Sequence, residues 1–432
     1  MTLKDRIEKR TARIGVIGLG YVGLPLAVEF ARAGFDVTGF DVDASKVTEV
    51  NAGRSYIGDV RTDDVAALVK AGTLRATTDM SLLREVDAVD ICVPTPLRKT
   101  KDPDMSFVVS AAEQIAKYLH PGMLVVLEST TYPGTTAEVL QPLFEATGLK
   151  VGVDFFLAFS PERVDPANEK YTTRNTPKVI GGTTPACSEV AAALYGTAID
   201  TVVPVSSTQV AEMVKLLENT FRAVNIGLVN EIALMSHRMN INVWEVIEAA
   251  STKPFGFMPF LPGPGLGGHC IPIDPFYLSW KARQSGFECR FIELAGQING
   301  SMPAYVVDRV SEALNTRKQA INGARVHIFG VAYKKDVSDM RESPALDVLE
   351  LLHRRGAILS YTDPHVPALN LEHGGISMTS VPESAAGTGM DCAVICTNHT
   401  AFDYGTIPGR FPLVVDTRNA LKGTSAVNVF RL

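Results

Sequence analysis

The chain has 432 residues, 46% hydrophobic and 20% charged, the balance of a globular protein long enough for two or three domains. Its formal net charge of -6, with basic and acidic residues interspersed, excludes a global basic field for nucleic acid or an anionic membrane, so any phosphate site must be local. No stretch approaches the ~18 apolar residues of a membrane span. Residues 1–13 lack the apolar core of a signal peptide, and six cysteines without paired or metal-type spacing suggest a reduced, cytoplasmic protein with no metal site.

Arg13-Ile-Gly-Val-Ile-Gly18 reads as a buried strand, and Gly18-Leu-Gly-Tyr-Val-Gly23 turns it into an amphipathic segment over 24–33. A lone G-x-G-x-x-G is weak evidence. Here it lies between strand and helix, and the next strand, Asp36-Val-Thr-Gly-Phe-Asp41, ends in an acid at the spacing of a dinucleotide fold. Gly18 makes the tight turn, Gly20, Tyr21 and Val22 bring backbone N–H groups to a pyrophosphate at the helix N-terminus, and Gly23 lets helix and strand pack closely. Asp41 takes the adenosine ribose hydroxyls, which favours NAD over NADP.

Strands at 87–93 and 123–127 end at Pro94-Thr95-Pro96 and Glu128-Ser-Thr130-Thr131. In a parallel sheet such carboxyl ends collect ligands, so Thr95 and Thr130 are candidates for the cofactor side, with a strand-end cap as the alternative. A further strand, 155–159, is followed by Ser160-Pro-Glu162-Arg163-Val164-Asp-Pro166, where a strand-end carboxylate is a candidate general base. A solvated loop glutamate is the other reading. From 206 to 240 the pattern is helical, on the order of 50 Å, long enough to join domains or line a dimer interface. Lys215 and Asn219 share a face of that helix among apolar neighbours.

Aromatic residues at 255–260, ending in Phe260, could pack against a sugar or against the core. They lead into Leu261-Pro-Gly-Pro-Gly-Leu-Gly267-Gly268-His-Cys270-Ile-Pro-Ile-Asp274-Pro275. Its glycines allow positive φ and close approach of backbone to a ligand. A thiol on such a loop beside a carboxylate suits nucleophilic attack better than core packing, although a small buried hydrophobe is what most free cysteines are. Asp274, before the apolar-periodic segment 276–283, reads otherwise as a helix N-cap. A helix over 291–320 leads to a second α/β unit opening with Arg325-Val-His-Ile-Phe-Gly330. That unit has no second G-x-G-x-x-G; its turn carries Lys334, Lys335 and Asp339-Met-Arg341-Glu-Ser-Pro344, with a helix starting near Ser343. A basic turn suits a diphosphate. Strands at 359–363, 391–396 and 413–416 complete it, and Cys392 and Cys396 are packing residues. The expected architecture is α/β: two Rossmann-like doubly wound domains, an NAD-binding one at 1–203 and a second at 321–432, which the resemblance described next makes UDP-sugar-binding. A helical region at 204–320 joins them and carries the cysteine loop and a dimer interface.

These motifs, in this order over essentially the whole chain, resemble the nucleotide-sugar 6-dehydrogenases, the family that includes UDP-glucose dehydrogenase. The resemblance implies an NAD-dependent oxidoreductase on a UDP-sugar, a homodimer that serves surface polysaccharide synthesis. It implies Cys270 as nucleophile, Lys215 and Asn219 as catalytic partners, Asp274 as base or as the holder of Lys215, Glu162 in thioester hydrolysis, and Thr95 and Thr130 on the NAD side, Thr130 counting among the catalytic residues as well. It further implies Lys334 on the nucleotide sugar, Arg341 on NAD, and sugar contacts from Glu162, Arg163, Val164, Lys215, Asn219, Phe260, Gly267 and Gly268. The residues after Glu162, with Lys253-Pro-Phe255 and Ile273 where the glucose branch carries other residues, look like the branch that handles N-acetylhexosamines. A two-electron dehydrogenase of the hydroxyacid type would need neither Cys270 nor a second α/β domain, and a non-catalytic sensor could lose Cys270 and Lys215.

Overall fold

The computed structural model describes residues 1–98, 102–164, 168, 170–268, 270–371 and 375–432. The chain forms two compact units, Met1–Glu218 with Phe276–Ser285, and Asn219–Pro275 with Gly286–Leu432. The first holds β1 (Arg13–Ile17), β2 (Asp36–Phe40), β3 (Leu74–Thr77), β4 (Ala88–Ile91), β5 (Leu124–Leu127), β6 (Phe156–Phe159), β7 (Lys178–Gly182) and β8 (Val202–Val205). They form one sheet in the order β3-β2-β1-β4-β5-β6-β7-β8, parallel except where β7 runs against β6. Helices on both faces explain why β4 and β5 are buried at every residue and read as apolar runs rather than alternating patterns. Each Val, Ile or Leu so enclosed contributes about 1.5–3 kcal/mol. Because β1 to β6 run the same way, their carboxyl ends share one edge, and the strand order reverses between β1 and β4, where a doubly wound sheet opens its ligand crevice.

The second unit holds β9 (Arg325–Phe329), β10 (Ile358–Thr362), β11 (Ala368–Leu371), β12 (Ile376–Thr379), β13 (Cys392–Ile395), β14 (Val414–Asp416) and β15 (Val429–Arg431). Five of these make a parallel sheet, β10-β9-β13-β14-β15, and β11 and β12 form a separate antiparallel pair. The expected class, a doubled α/β fold, is what the chain adopts. The β11–β12 pair and β15 were not expected; strands of three or four residues are too short to show a period.

The doubling extends to single hydrogen bonds. Gly18 ends β1 at φ +91°, and a Cβ there would lie 2.5 Å from the Cys92 carbonyl oxygen after β4. Gly330 ends β9 at φ +76°, and its Cβ would lie 2.3 Å from the Thr397 carbonyl oxygen after β13. In each unit the acid that follows the second strand accepts from the N–H after that glycine: Asp41 from Leu19 at 2.8 Å, Asp363 from Val331 at 2.7 Å.

The long helix expected over 206–240 is Thr208–Arg238, 31 residues and about 46 Å, and it passes from the first unit into the second. In the second unit Gly227 lets it approach the Arg290–Asn315 helix closely, since a Cβ there would stand 3.1 Å from the Ala295 Cα. That helix ends five residues before the expected 320, because the chain turns at Thr316 and reaches the left-handed region at Lys318, φ +58°.

Candidate active site

Each glycine of the first turn has its own physical reason. A Cβ on Gly23 would sit 1.8 Å from the Gly18 carbonyl oxygen, whereas a Cβ on Gly20 would meet nothing within 4 Å. Gly18 and Gly23 are therefore demanded by packing, and Gly20 leaves open space at the start of the Gly23–Arg32 helix, where unpaired N–H groups favour an anion. Tyr21 is 48% exposed beside it, and Val22 packs partly against the core. Asp41 is buried, its second oxygen accepting from the Asp43 N–H at 2.9 Å, and Lys46 lies 3.2 Å from the first. Gly20→Ala is expected to fold with unchanged melting temperature yet weaken NAD binding by about tenfold, some 1.4 kcal/mol. Gly23→Ala is expected to cost about 3 kcal/mol of stability through the backbone clash. Thermal melts and a nucleotide titration of both proteins check the pair.

Further along the same edge, Thr95 follows β4 and its carbonyl accepts from the Tyr277 hydroxyl at 2.8 Å. After β5 the Thr130 hydroxyl accepts from Lys215 Nζ at 2.5 Å. The segment is clamped from the long helix, where Glu212 accepts from the N–H groups of Gly134 and Thr136 and from the Thr136 hydroxyl. Lys215, one turn on from Glu212's position, is only 8% exposed.

Glu162 follows β6. One carboxylate oxygen accepts from the N–H groups of Arg163 and Val164, both at 2.7 Å, and the other from Lys178 Nζ at 2.9 Å. Burial alone would raise this carboxyl, but the Lys178 ammonium and the Val164 N–H outweigh it and hold it below the ordinary carboxylate range. The Arg163 guanidinium is committed to Glu218 at 2.6 Å and to the Pro177 carbonyl at 2.7 Å, so here it is its N–H, with that of Val164, that fixes Glu162. Asp165 and Pro166 of this motif lie outside the described residues.

In the second unit Asn219 Nδ2 donates to Asp274 at 2.6 Å, with both residues buried. Asp274 is the first residue of the Asp274–Gln284 helix, as its expected place at a helix start requires, and its carboxylate accepts from Asn219. Cys270 is partly exposed, and its carbonyl accepts from the Ile273 and Asp274 N–H groups at 3.0 and 2.8 Å. It thus closes the turn that opens this helix. His269 lies outside the described residues.

The loop glycines have a packing cause beside the expected close approach to a ligand. A Cβ on Gly265 would lie 2.9 Å from Pro344, one on Gly267 2.8 Å from Tyr333, and one on Gly268, at φ +88°, 2.8 Å from the Tyr333 ring. The Gly268 N–H also donates to the Arg341 carbonyl at 3.0 Å. Glycine is needed here so that the cysteine loop can lie against the 333–344 segment. Phe260 meets Phe221 edge to face at 5.8 Å. Lys334 is partly exposed, and the exposed Arg341 guanidinium pairs with Asp339 at 2.6 Å.

Two residues of this chemistry were missed at the sequence level. Lys178 opens a strand buried at all five positions, and a lysine in such a strand signals a hidden acid. Arg418 follows β14 at the carboxyl edge, donates to the Cys396 carbonyl at 2.8 Å, and has a guanidinium nitrogen 2.6 Å from where a Gly263 Cβ would be. Burial lowers its pKa, and among the described residues no acid pairs with it, so an anion is the natural complement. Among the described residues Asp336, His365 and His399 bring ligand-type atoms within 4.8 Å of one another. His399, however, accepts the Asp336 N–H on Nδ1 and turns Nε2 to Asp363, leaving no lone pair for a cation.

The turn, the acid after β2 and the crevice between β1 and β4 define an NAD-dependent oxidoreductase, and known proteins refine the class. The NAD binding, central and UDP binding domains of the UDP-glucose/GDP-mannose dehydrogenase family match residues 12–199, 209–301 and 327–423, and the chain belongs to that family. It is 38% identical over 385 residues, 88% of this chain and 90% of the relative, to the UDP-N-acetyl-D-glucosamine 6-dehydrogenase of Pseudomonas aeruginosa. It is 36% identical over 425 residues, 97% and 98% of the two chains, to the UDP-N-acetyl-D-mannosamine dehydrogenase of Pyrococcus horikoshii. A solved structure of UDP-D-ManNAc dehydrogenase from Pyrococcus horikoshii superposes with a TM-score of 0.89 at 35% identity, covering 97% of this chain and 98% of that one.

Proposed function

We propose that the protein oxidises the C6 hydroxymethyl group of UDP-N-acetyl-D-glucosamine to the carboxylate in two NAD-dependent steps. The observation that carries this reading is Cys270 at the turn opening a helix, with the buried Asn219–Asp274 pair in the same unit. A primary alcohol gives one hydride and becomes an aldehyde. An aldehyde has no second hydride to give until a nucleophile adds to it. Cys270 Sγ adds to form a thiohemiacetal, loss of the second hydride gives a thioester, and water cleaves it to the carboxylate. The balance is R–CH2OH + 2 NAD⁺ + H2O → R–COO⁻ + 2 NADH + 3 H⁺, with NAD supplying only the hydride acceptor.

In this reading Lys215, oriented by Thr130, and Asn219, oriented by Asp274, stabilise the developing oxyanion. Asp274 with a water takes the alcohol proton, and Glu162 takes a proton from the hydrolytic water. Gly18, Gly20, Tyr21, Val22, Gly23, Asp41, Thr95, Thr130 and Arg341 serve NAD. Lys334, joined by Arg418, serves the diphosphate, while Val164, Phe260, Gly267, Gly268 and the Arg163 backbone frame the sugar. The functional division is 1–203, 204–320 and 321–432. The partner is a second copy of the chain: Phe221, Leu228 and Met235, 46–54% exposed at helical spacing, leave an apolar stripe on the long helix, and a monomeric mass in solution would overturn this.

The sugar assignment rests on Lys253-Pro-Phe255 and Ile273, which depart from the glucose branch, and on the name of the Pseudomonas relative. With limiting UDP-N-acetylglucosamine and excess NAD, two NADH form per sugar consumed. One NADH per sugar would sink the thioester route. No NADH from this sugar but two from UDP-N-acetylmannosamine, UDP-N-acetylgalactosamine or UDP-glucose would keep the route and change only the substrate.

A further inference from the structure

Behind Glu162 the first unit contains a chain of buried ionisable groups that the mechanism above does not use. Lys178 Nζ, which donates to Glu162, also donates to Glu128 at 2.7 Å. The other oxygen of Glu128 contacts the Tyr195 hydroxyl, which lies 2.6 Å from Asp90 Oδ1. Asp90, Glu128, Lys178 and Tyr195 are each no more than 3% exposed. Asp90 stands on the central strand β4, in register with Val16 and Val126, a position where the apolar run calls for another Val or Ile. Its Oδ2 has no partner among the described residues.

The hydrogens can be counted. A phenol carries one hydrogen, and here it faces two carboxyl oxygens, so the second contact needs a hydrogen on Asp90 or on Glu128. Glu128 has the Lys178 ammonium on its other oxygen, whereas among the described residues no cation is hydrogen-bonded to Asp90. The hydrogen therefore resides on Asp90, giving a single direction of donation: Asp90 to Tyr195, Tyr195 to Glu128, with Lys178 donating to both Glu128 and Glu162. Burial, reinforced by the charge of Glu128, pushes the Asp90 carboxyl up to about 8, which agrees with this count. The assembly then holds two carboxylates and one ammonium, and it becomes neutral on accepting one more proton.

We propose that Lys178 and Glu128 form a one-proton reservoir behind Glu162, which receives the proton released in thioester hydrolysis and keeps Glu162 ionised for its task. The proposal rests on the reading of Glu162 as hydrolytic base. As water attacks, one of its O–H bonds breaks, its oxygen bonds to the thioester carbon, and the C–S bond breaks to leave the Cys270 thiolate and the sugar acid, which gives its remaining proton to solvent as it leaves as the uronate. The water proton goes to Glu162 Oε2, whose second lone pair is not used by Lys178. Lys178 passes one of its N–H protons to Glu128 and takes the proton of Glu162, so the lysine ends as an ammonium, Glu162 as a carboxylate and Glu128 as an acid. The reverse transfer returns the proton to solvent after the uronate leaves. Lys178, Glu128 and Asp90 are positioning residues in this scheme, since none touches the substrate.

Two measurements test it. Infrared difference spectra between the wild-type protein and Asp90→Asn at neutral pH are expected to show the C=O band of a protonated carboxyl, shifted in D2O and lost as pH rises through about 8, over and above any band from Glu212, whose carboxyl burial raises to about 7. Absence of this band overturns the count and the proposal. In a single turnover with UDP-N-acetylglucosamine, Glu128→Gln is expected to form two NADH at the wild-type rate but to release the uronate at least about tenfold more slowly. Quenched protein then carries the thioester mass on Cys270. Glu162→Gln, run alongside, separates the two failures. If neither variant accumulates thioester, the base assignment falls and takes the reservoir with it; if only Glu162→Gln does, the base stands and the reservoir is overturned. Should Glu128→Gln not fold, Glu212→Gln decides: with the Glu212 band removed, a further protonated-carboxyl band must still grow as pH is lowered, above the ordinary carboxyl range, because burial raises Glu128, and its absence overturns the reservoir.

Discussion

Cys270→Ala is expected to lower uronate formation by a factor on the order of 10⁴, the usual cost of removing a nucleophile from a covalent mechanism. Two hydrides must leave the same carbon, and only the first can leave without covalent help. The variant therefore retains sugar and NAD binding, since the thiol is absent from both cradles, and it yields at most one NADH per site before stalling. The effect is confined to chemistry: the Cys270 carbonyl, which builds the turn into the Asp274–Gln284 helix, is backbone and survives the substitution. A melting temperature within about 1–2 °C of wild type, about 0.5 kcal/mol, is the matching expectation. Turnover near the wild-type rate would return Cys270 to a packing role and favour the two-electron alternative.

Lys215→Met is expected to lower kcat by 10²–10³, about 3–4 kcal/mol of lost oxyanion stabilisation, with less than a threefold change in KM. The cation is 8% exposed and its Nζ is anchored on the Thr130 hydroxyl at 2.5 Å, so little reorganisation is needed when charge develops on the substrate oxygen. Methionine preserves the aliphatic stem and removes only the charge. Thr130→Val removes the anchor alone and is expected to cost roughly tenfold in kcat. A rise in KM with unchanged kcat would make Lys215 a ground-state binder. Initial-rate kinetics on the three proteins decide between the two.

Much of this was legible in the sequence because its signals are local. The G-x-G-x-x-G turn needs Gly18 and Gly23 for reasons that act within 3 Å of the backbone, so their spacing carries the structure with it. The four-residue step from Lys215 to Asn219 fixes a shared helix face. What the sequence hid is pairing across the sheet. Glu128, Lys178 and Tyr195 are 50 and 17 residues apart along the chain and meet only when β5, β7 and the Pro185–Tyr195 helix are assembled. Asp90 looked like any polar residue in Asp87-Ala-Val-Asp-Ile, and no period marks it as buried. The Asn219 contact of Asp274 was hidden for the same reason, as Asn219 lies 55 residues upstream. The glycines at 265–268 were rightly singled out, but sequence cannot tell a ligand from a neighbouring segment as the thing approached.

The two acids that close the first turn of each unit differ in what surrounds them. Asp41 binds backbone N–H groups of Leu19 and Asp43 and a lysine at the margin. Asp363 receives Val331, Ala332, His365 and Val366 N–H groups and the His399 ring, five donors for two oxygens. The second acid is saturated; it behaves as a rivet in the chain, with no valence left for a ribose. The same place in the fold can thus keep its acid for another task, by crowding donors around it. In any doubled α/β chain, counting the hydrogen bonds already spent on that carboxylate tells an acid still open to a ribose from one that only holds its own turn.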